Sequence, residues 1–269
     1  MPETILLTGA TDGIGRAAAR RLAAGGVRVL AHGRDPAKGR ELLAELRALA
    51  PRTEPAYYNA DLASLTDVGG LADALIKHEP ALDGIIANAG VYLNERETSI
   101  DGYEKVFAVN QLAHFLLINR LVYPLARNEP ARIVVVASVA HGFVDELSIG
   151  ELADPPHYDA LTAYARSKGA NIAFTRELAQ RLTGSGITCT CLHPGVISTK
   201  LYHAGWGSGG AAPEEGAARL VHAAREAEAA AVHGRYLEDA QPVEPAAYTR
   251  DPGVQGELWR LCERLSGLA

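Results

Sequence analysis

Thr8-Gly9-Ala10-Thr11-Asp12-Gly13-Ile14-Gly15 follows the apolar run Ile5–Leu7 and opens the helical pattern Gly13–Ala24. Glycines at 9, 13 and 15 let the backbone turn tightly and approach a ligand with no Cβ in the way. The free N–H groups and positive dipole end of a helix beginning near Gly13 favour an anion. The spacing is G-x-x-x-G-x-G, a variant of the G-x-G-x-x-G fingerprint. Taken alone, it is equally a tight strand-to-helix connection. At the first such junction of an alternating strand–helix pattern it points to a dinucleotide, cradled by Gly9, Thr11, Asp12, Gly13, Ile14 and Gly15.

Outward from this turn the alternation continues. Strand-like runs at Ile5–Leu7, Val27–His32, Pro55–Asn59, Leu82–Ala87, Ile133–Ala137, Ile187–Leu192 and Arg235–Leu237 are predicted. Between them lie helical stretches near Gly13–Ala24, Pro36–Leu49, Leu65–Lys77, Ile100–Arg127 and Ala163–Leu182, with two more near Glu214–Ala227 and Val254–Leu265. The strands are apolar throughout rather than alternating, which suits a parallel sheet covered on both faces. Right-handed crossovers then give an α/β, Rossmann-type doubly wound sheet, seven strands in the order 3-2-1-4-5-6-7 with helices on both faces. No repeat and no Pro/Ser-rich linker divides the chain, so residues 1–269 read as a single dinucleotide-binding catalytic domain. Segments at about 91–99, 142–160 and 200–212 are the expected substrate loops, the last containing the flexible Gly205–Gly210.

Composition narrows the function class. Lys plus Arg is 26 and Asp plus Glu is 32, a net charge of −6 that offers no broad basic surface, so nucleic acid is not an expected partner. The three cysteines are odd in number, and Cys189 and Cys191 alternate with Thr in a strand rather than forming a CxxC pair. No run of about 18 uninterrupted apolar residues is present. Met1-Pro2-Glu3-Thr4 runs at once into the first strand and leaves no room for a signal peptide. The expectation is a cytoplasmic protein with no membrane partner. No HExxH or clustered His/Cys/Asp spacing supports a metal, and no G-x-S-x-G elbow supports a serine hydrolase.

The end of the second strand chooses the cofactor. A carboxylate there would bind the ribose 2′-hydroxyl, whereas an Arg would meet a 2′-phosphate. In Val29-Leu30-Ala31-His32-Gly33-Arg34-Asp35, Gly33 takes the carboxylate's place and Arg34 follows directly. A guanidinium fork suits phosphate, and Arg16 is a possible second cation. Asp35 is the rival ribose ligand, although before Pro36 it also reads as a helix cap. NADP(H) is therefore favoured over NAD(H).

Tyr164-Ala165-Arg166-Ser167-Lys168 lies in a predicted helix, with Tyr164 and Lys168 one turn apart on one face. A phenol of pKa ~10 is a poor acid–base catalyst at neutral pH. A neighbouring ammonium, or the positive ring of an oxidised nicotinamide, lowers it. Ser138 follows the strand Ile133–Ala137, where its hydroxyl could hydrogen-bond both a substrate carbonyl and the tyrosine oxygen. Each residue alone is commonplace. Together, downstream of a dinucleotide turn, they are specific.

These motifs resemble the short-chain dehydrogenases/reductases over nearly the whole chain. Thr8–Gly15 is similar to that family's TGxxxGxG, Asp61-Leu62 to its adenine-binding acidic position, and Asn88-Ala89-Gly90 to its NAG. The resemblance implies a catalytic tetrad of Asn110, Ser138, Tyr164 and Lys168. Tyr164 would exchange the proton and Ser138 bind the carbonyl. Lys168 would lower the tyrosine pKa and hold the nicotinamide ribose, while Asn110 would position a proton-relaying water. Pro194-Gly195-Val196-Ile197-Ser198-Thr199 resembles the segment that closes over the nicotinamide, so Pro194, Gly195, Ile197 and Thr199 are implied cofactor contacts. Asn110–Leu117, Ala137–His141, Leu192–Gly195 and the long Ser138–Tyr164 separation resemble the retinol-dehydrogenase and protochlorophyllide-reductase-like branch. Ala87 stands where many members carry a second Asn. The chain starts at the first strand, without the apolar anchor of membrane-bound members, so lipid-embedded retinoids are not implied.

The implied activity is reversible hydride transfer between a nicotinamide and a small-molecule carbonyl or alcohol. A non-catalytic NADP-binding sensor or interaction protein, or a lyase or epimerase on the same scaffold, stays open as an alternative. His141, His157 and His203 read as pocket or surface residues, and Tyr202 and Trp206 as walls of a lid or a mobile loop. His193 reads as structural or bordering the cofactor. The helices Ile100–Arg127 and Ala163–Leu182 could pair copies into a homodimer or homotetramer.

Overall fold

The computed structural model describes residues 3–79, 81–128 and 130–268; Met1 and Pro2, read above as the run-in to the first strand, lie outside them. Among these residues eight strands form one sheet: β1 (Thr4–Leu7), β2 (Arg28–Gly33), β3 (Ala56–Asn59), β4 (Gly84–Ala87), β5 (Ala131–Val136), β6 (Ile187–Leu192), β7 (Tyr236–Glu238) and β8 (Gln241–Val243). Their order is β3-β2-β1-β4-β5-β6-β7-β8. The first seven pair in parallel in the expected order. The eighth is an addition, joined to β7 as an antiparallel hairpin. Its turn holds Asp239 at φ 46° and Ala240 at φ 62°, the backbone of a tight hairpin turn. Ala at a positive φ carries no turn signal, and Gln241-Pro242-Val243 is exposed throughout with its Pro at the sheet edge.

Two apolar layers sandwich the sheet. On one side Leu6, Ile85, Ile133 and Cys189 pack against Phe115, Leu117 and Phe174. On the other, Leu7, Val29, Val134 and Leu192 pack against Ala18, Leu22, Leu46 and Leu220. The central strands β1, β4 and β5 thus bury both faces, which is why their sequences are continuous in apolar residues, whereas β3 is half-buried and ends at the exposed Asn59. The helix starts are set by side-chain caps. Asp12, Asp35, Ser64, Asp159 and Thr199 each accept a backbone N–H from the first turn that follows.

The helix expected over Ile100–Arg127 begins later, at Lys105. Gly102 takes φ +89° and breaks the pattern, and the buried Glu104 carboxylate caps the Val106 and Phe107 amides at 2.7 Å each. Lys105–Ala126 is long and apolar enough to cross a membrane by composition, but 78% of its apolar window is buried in the domain, as for a core helix. A π-helical turn over Ala108–Leu112 interrupts it around Asn110. The stretch expected as a loop near 200–212 contains a helix, Lys200–Trp206, and the helical stretch Glu214–Ala227 is Pro213–Val221 followed by a π turn, His222–Glu226.

Candidate active site

The carboxyl ends of β1, β2, β4, β5 and β6 open into one cleft of about 680 Å³. It is lined by Gly9, Thr11, Asp12, Gly13, Ile14, Gly15, Arg34, Asp61 and Leu62 at one end, and by Asn88, Ala89, Gly90, Ser138, Tyr164, Lys168, Pro194, Gly195, Ile197 and Thr199 toward the other. Every singled-out cofactor position therefore borders one space. A Cβ at Gly15 would stand 2.0 Å from the Gly9 carbonyl oxygen, and one at Gly9 would stand 2.9 Å from Ala89 Cα. These glycines are set by close backbone approach, and the helix beginning at Gly13 aims its positive end into the cleft. The cradle fits a dinucleotide pyrophosphate.

At the end of β2 the candidate residues have different partners. Asp35 accepts from the Ala37 and Lys38 amides at 2.9 and 3.2 Å, so its carboxylate is committed to capping the next helix. A Cβ at Gly33 would meet Thr11 Cγ2 at 2.9 Å and Tyr57 Oη at 3.2 Å, which leaves no room for a ribose-binding carboxylate there. Arg34 is exposed at the cleft and makes no ion pair among the described residues. The expected second cation differs. Arg16 is bound to Glu45, whereas Lys38 lines the cleft and reaches Asp12 at 3.3 Å. Asp61 borders the adenine end and accepts from the Ala63 amide at 3.0 Å.

At the opposite end Ser138, Tyr164 and Lys168 meet. All three are buried, with the helix Ala160–Arg181 carrying Tyr164 and Lys168 on one face. The Ser138 hydroxyl neighbours the Tyr164 hydroxyl. Burial pushes the phenol's pKa up and the neighbouring Ser138 hydroxyl pulls it partly back. Lys168 is desolvated in turn, which lowers its pKa to about 8. Its ammonium donates to the Val136 carbonyl at 2.9 Å and lies 5.6 Å from the centre of the Tyr164 ring. The lowering of the tyrosine expected from Lys168 is not found here: desolvation sets the direction and only Ser138 opposes it. Asn110 does not line the cleft. It is fully buried, with Oδ1 accepting from the Val91 amide at 2.7 Å and Nδ2 donating to the Ser167 hydroxyl at 3.0 Å. A Cβ at Gly90 would stand 3.2 Å from Asn110 Oδ1 and 3.6 Å from Lys168 Nζ, so both polar groups flank the same glycine.

The substrate side is apolar. Val91, Val139, Phe143, Leu201, Tyr202 and Trp206 line it. The Tyr164 ring is met by Tyr92 at 5.6 Å and Trp206 at 5.7 Å between centroids. Only Val91 of the 91–99 loop and Phe143 of the 142–160 loop reach the lining. His141, His157 and His203 do not line the cleft, while His32 and His193 do. Burial lowers the pKa of both His32 and His193 to about 4, aided for His193 by the Arg219 charge.

Several contributors carried no motif. His32 accepts from the Gly9 amide at 3.4 Å and donates to the Ala60 carbonyl at 3.1 Å, holding the glycine turn from below. Arg219 donates to the Pro194 carbonyl at 3.1 Å and pairs with Asp239 at 2.7 Å, fixing the segment at Gly195. Lys200 reaches Asp12 at 2.5 Å, joining the loop after β6 to the glycine turn. Their partners are distant in sequence, and only the helical i, i+4 spacing of Tyr164 and Lys168 is a local signal.

A short chain dehydrogenase family model matches residues 3–205. The chain belongs to the short-chain dehydrogenase family. Within this family its relatives include human retinol dehydrogenase 14, 36% identical over 99% of this chain and 87% of that protein. Mouse polyprenol dehydrogenase is 37% identical over 97% of this chain and 83% of that protein. These likenesses set the chain in the retinol-dehydrogenase-like branch and make it an oxidoreductase. Among solved structures, the Pseudomonas aeruginosa RhlG/NADP active-site complex superposes with a TM-score of 0.72 and 25% identity, covering 92% of this chain and 96% of that one.

Proposed function

We propose that this short-chain dehydrogenase interconverts an apolar alcohol and its aldehyde or ketone with NADP(H), using Tyr164 as the acid–base group. The observation that carries this reading is the meeting of Ser138, Tyr164 and Lys168 at the far end of the glycine-lined cleft. The nicotinamide supplies or accepts the hydride and, when oxidised, adds a positive charge that favours phenolate. Tyr164 gives a proton to the substrate oxygen in reduction and takes it back in oxidation. Ser138 holds that oxygen and the phenol together. Lys168, at about 8, stays charged at neutral pH and offers its remaining protons toward the cleft.

NADP(H) is favoured because two cations, Arg34 and Lys38, face the adenosine end while Gly33 and the capping role of Asp35 withhold a carboxylate. An apolar substrate is favoured by the uncharged wall of Val91, Phe143, Leu201, Tyr202 and Trp206, and by the retinol and polyprenol named for the relatives. The test is oxidation of NADPH and of NADH with a panel of long-chain and aromatic aldehydes, using wild type and Arg34→Ala. The reading expects net nicotinamide oxidation. It also expects a Michaelis constant for NADPH raised about tenfold or more by Arg34→Ala, with the constant for NADH little changed. No net redox change with any carbonyl would favour a sensor or a lyase. Equal losses for both cofactors would remove Arg34 from 2′-phosphate recognition.

A further inference from the structure

His114 sits in the helix Lys105–Ala126, one turn beyond Asn110, and is 1% exposed. It is absent from the cleft lining and from the four residues expected to do chemistry. Its ring nevertheless connects the two ends of the site. Nε2 lies 2.9 Å from the Thr8 hydroxyl oxygen and Nδ1 lies 3.1 Å from the Asn110 carbonyl oxygen.

The neighbours fix where its proton lies. Thr8 Oγ1 accepts from the Asn88 amide at 2.9 Å and from the Ala89 amide at 3.0 Å. Both lone pairs of that hydroxyl are therefore taken, and its own hydrogen must point at His114 Nε2. Nε2 is then an acceptor. The Asn110 carbonyl can only accept, so Nδ1 carries the hydrogen. Complete burial disfavours the imidazolium and lowers the His114 pKa to about 4. A second proton on Nε2 would face a hydroxyl with no lone pair to offer.

We propose that His114 is a positioning residue: a neutral imidazole, protonated on Nδ1, that locks the Thr8–Ala89 edge of the dinucleotide cradle to the backbone of Asn110. The chain of donors runs from the Asn88 and Ala89 amides through the Thr8 hydroxyl and His114 to the Asn110 carbonyl. The π-helical turn over Ala108–Leu112 holds Asn110 beside Lys168, and π turns of this kind concentrate at functional sites. His114 ties that irregular turn to β1. The cradle and the groups flanking Gly90 are thereby held in one fixed register. The role rests on the reading of the cleft as an NADP(H) site, but the proton placement does not.

Two measurements test it. With ¹⁵N-labelled histidine, the His114 ring should show the Nδ1–H tautomer at neutral pH and keep it down to about pH 5; an Nε2–H tautomer or an imidazolium would overturn the proposal. Calorimetric NADPH titration of His114→Asn and His114→Leu supplies the second. Asn retains a donor near the Asn110 carbonyl, whereas Leu of similar volume retains none. His114→Leu should weaken NADPH binding roughly tenfold and lower kcat by ~10²-fold in turnover with an accepted aldehyde, with His114→Asn recovering most of the kcat loss. A folded His114→Leu with wild-type NADPH affinity and kcat, or equal losses in both variants, would overturn it. Should His114→Leu fail to fold, the tautomer measurement on wild type still decides. If wild type binds no NADPH, the cofactor reading falls while the tautomer result stands on its own.

Discussion

The Trp206 ring meets the Tyr164 ring edge to face, with centroids 5.7 Å apart and planes at 71°. Tyr92 closes the same arrangement, 5.2 Å from Trp206, and packs against the backbone of Gly205. The helix Lys200–Trp206 is thus seated directly on the proposed proton donor. Such ring pairs contribute beyond their buried area. Trp206→Ala should raise the Michaelis constant for an apolar aldehyde by about threefold to tenfold while leaving NADPH affinity within about twofold. Steady-state kinetics with a fixed aldehyde, together with NADPH titration, checks both halves.

Gly15 has no tolerance for a side chain. A Cβ there would lie 2.0 Å from the Gly9 carbonyl oxygen, a contact with backbone on both sides. Gly15→Ala should cost about 3 kcal/mol of stability or more and abolish measurable NADPH binding. Urea unfolding and NADPH titration report the two effects separately.

Lys168 gives the stability a pH signature. Burial moves its pKa from 10.5 to about 8. Between these values the unfolded chain binds a proton that the native chain does not, so stability rises with pH across this window. Below about 8 both states are charged and the slope vanishes, with the burial penalty fully in place. The total rise attributable to Lys168 is up to about 3 kcal/mol. The Tyr164 phenol and the cysteine thiols are pushed up by burial and act in the opposite direction above pH 9. Subtracting the Lys168→Met curve from wild type isolates the lysine: the difference should climb between pH 8 and 10. A flat difference would mean that Lys168 is not desolvated.

Lys200 bridges the loop after β6 to the cradle through Asp12 at 2.5 Å. The pair is exposed to solvent and hence screened by salt. Lys200→Met should speed NADPH dissociation roughly twofold to fivefold at low salt, with the difference shrinking as salt is added. Stopped-flow displacement at two ionic strengths measures it.

The sheet was legible because a strand covered on both faces must be apolar throughout. Of the seven parallel strands, β1, β4 and β5 carry that mark most plainly, while β3, Ala56–Asn59, is only half-buried. β8 does not, since Gln241-Pro242-Val243 is an exposed edge entered through Asp239 and Ala240. The late start of the helix at Lys105 hinges on Gly102 and the Glu104 cap, a local detail hidden inside an otherwise helical pattern. At the site, glycine spacing and the Tyr164–Lys168 turn are local and therefore readable. Lys38 displaces Arg16 as the second cation because Glu45 claims Arg16, a contact between two helices that no spacing reveals. His32 and His114 act through partners on other elements, so in the sequence they are indistinguishable from ordinary core histidines.

The account depends most on the Tyr164 hydroxyl, and one substitution tests it directly. Tyr164→Phe removes a single oxygen from a buried ring that stays packed between Tyr92 and Trp206. Aldehyde-dependent NADPH oxidation should fall by about 10³-fold or more, with the NADPH dissociation constant within about threefold of wild type. Turnover retained within tenfold of wild type would contradict the assignment of Tyr164 as the acid–base group.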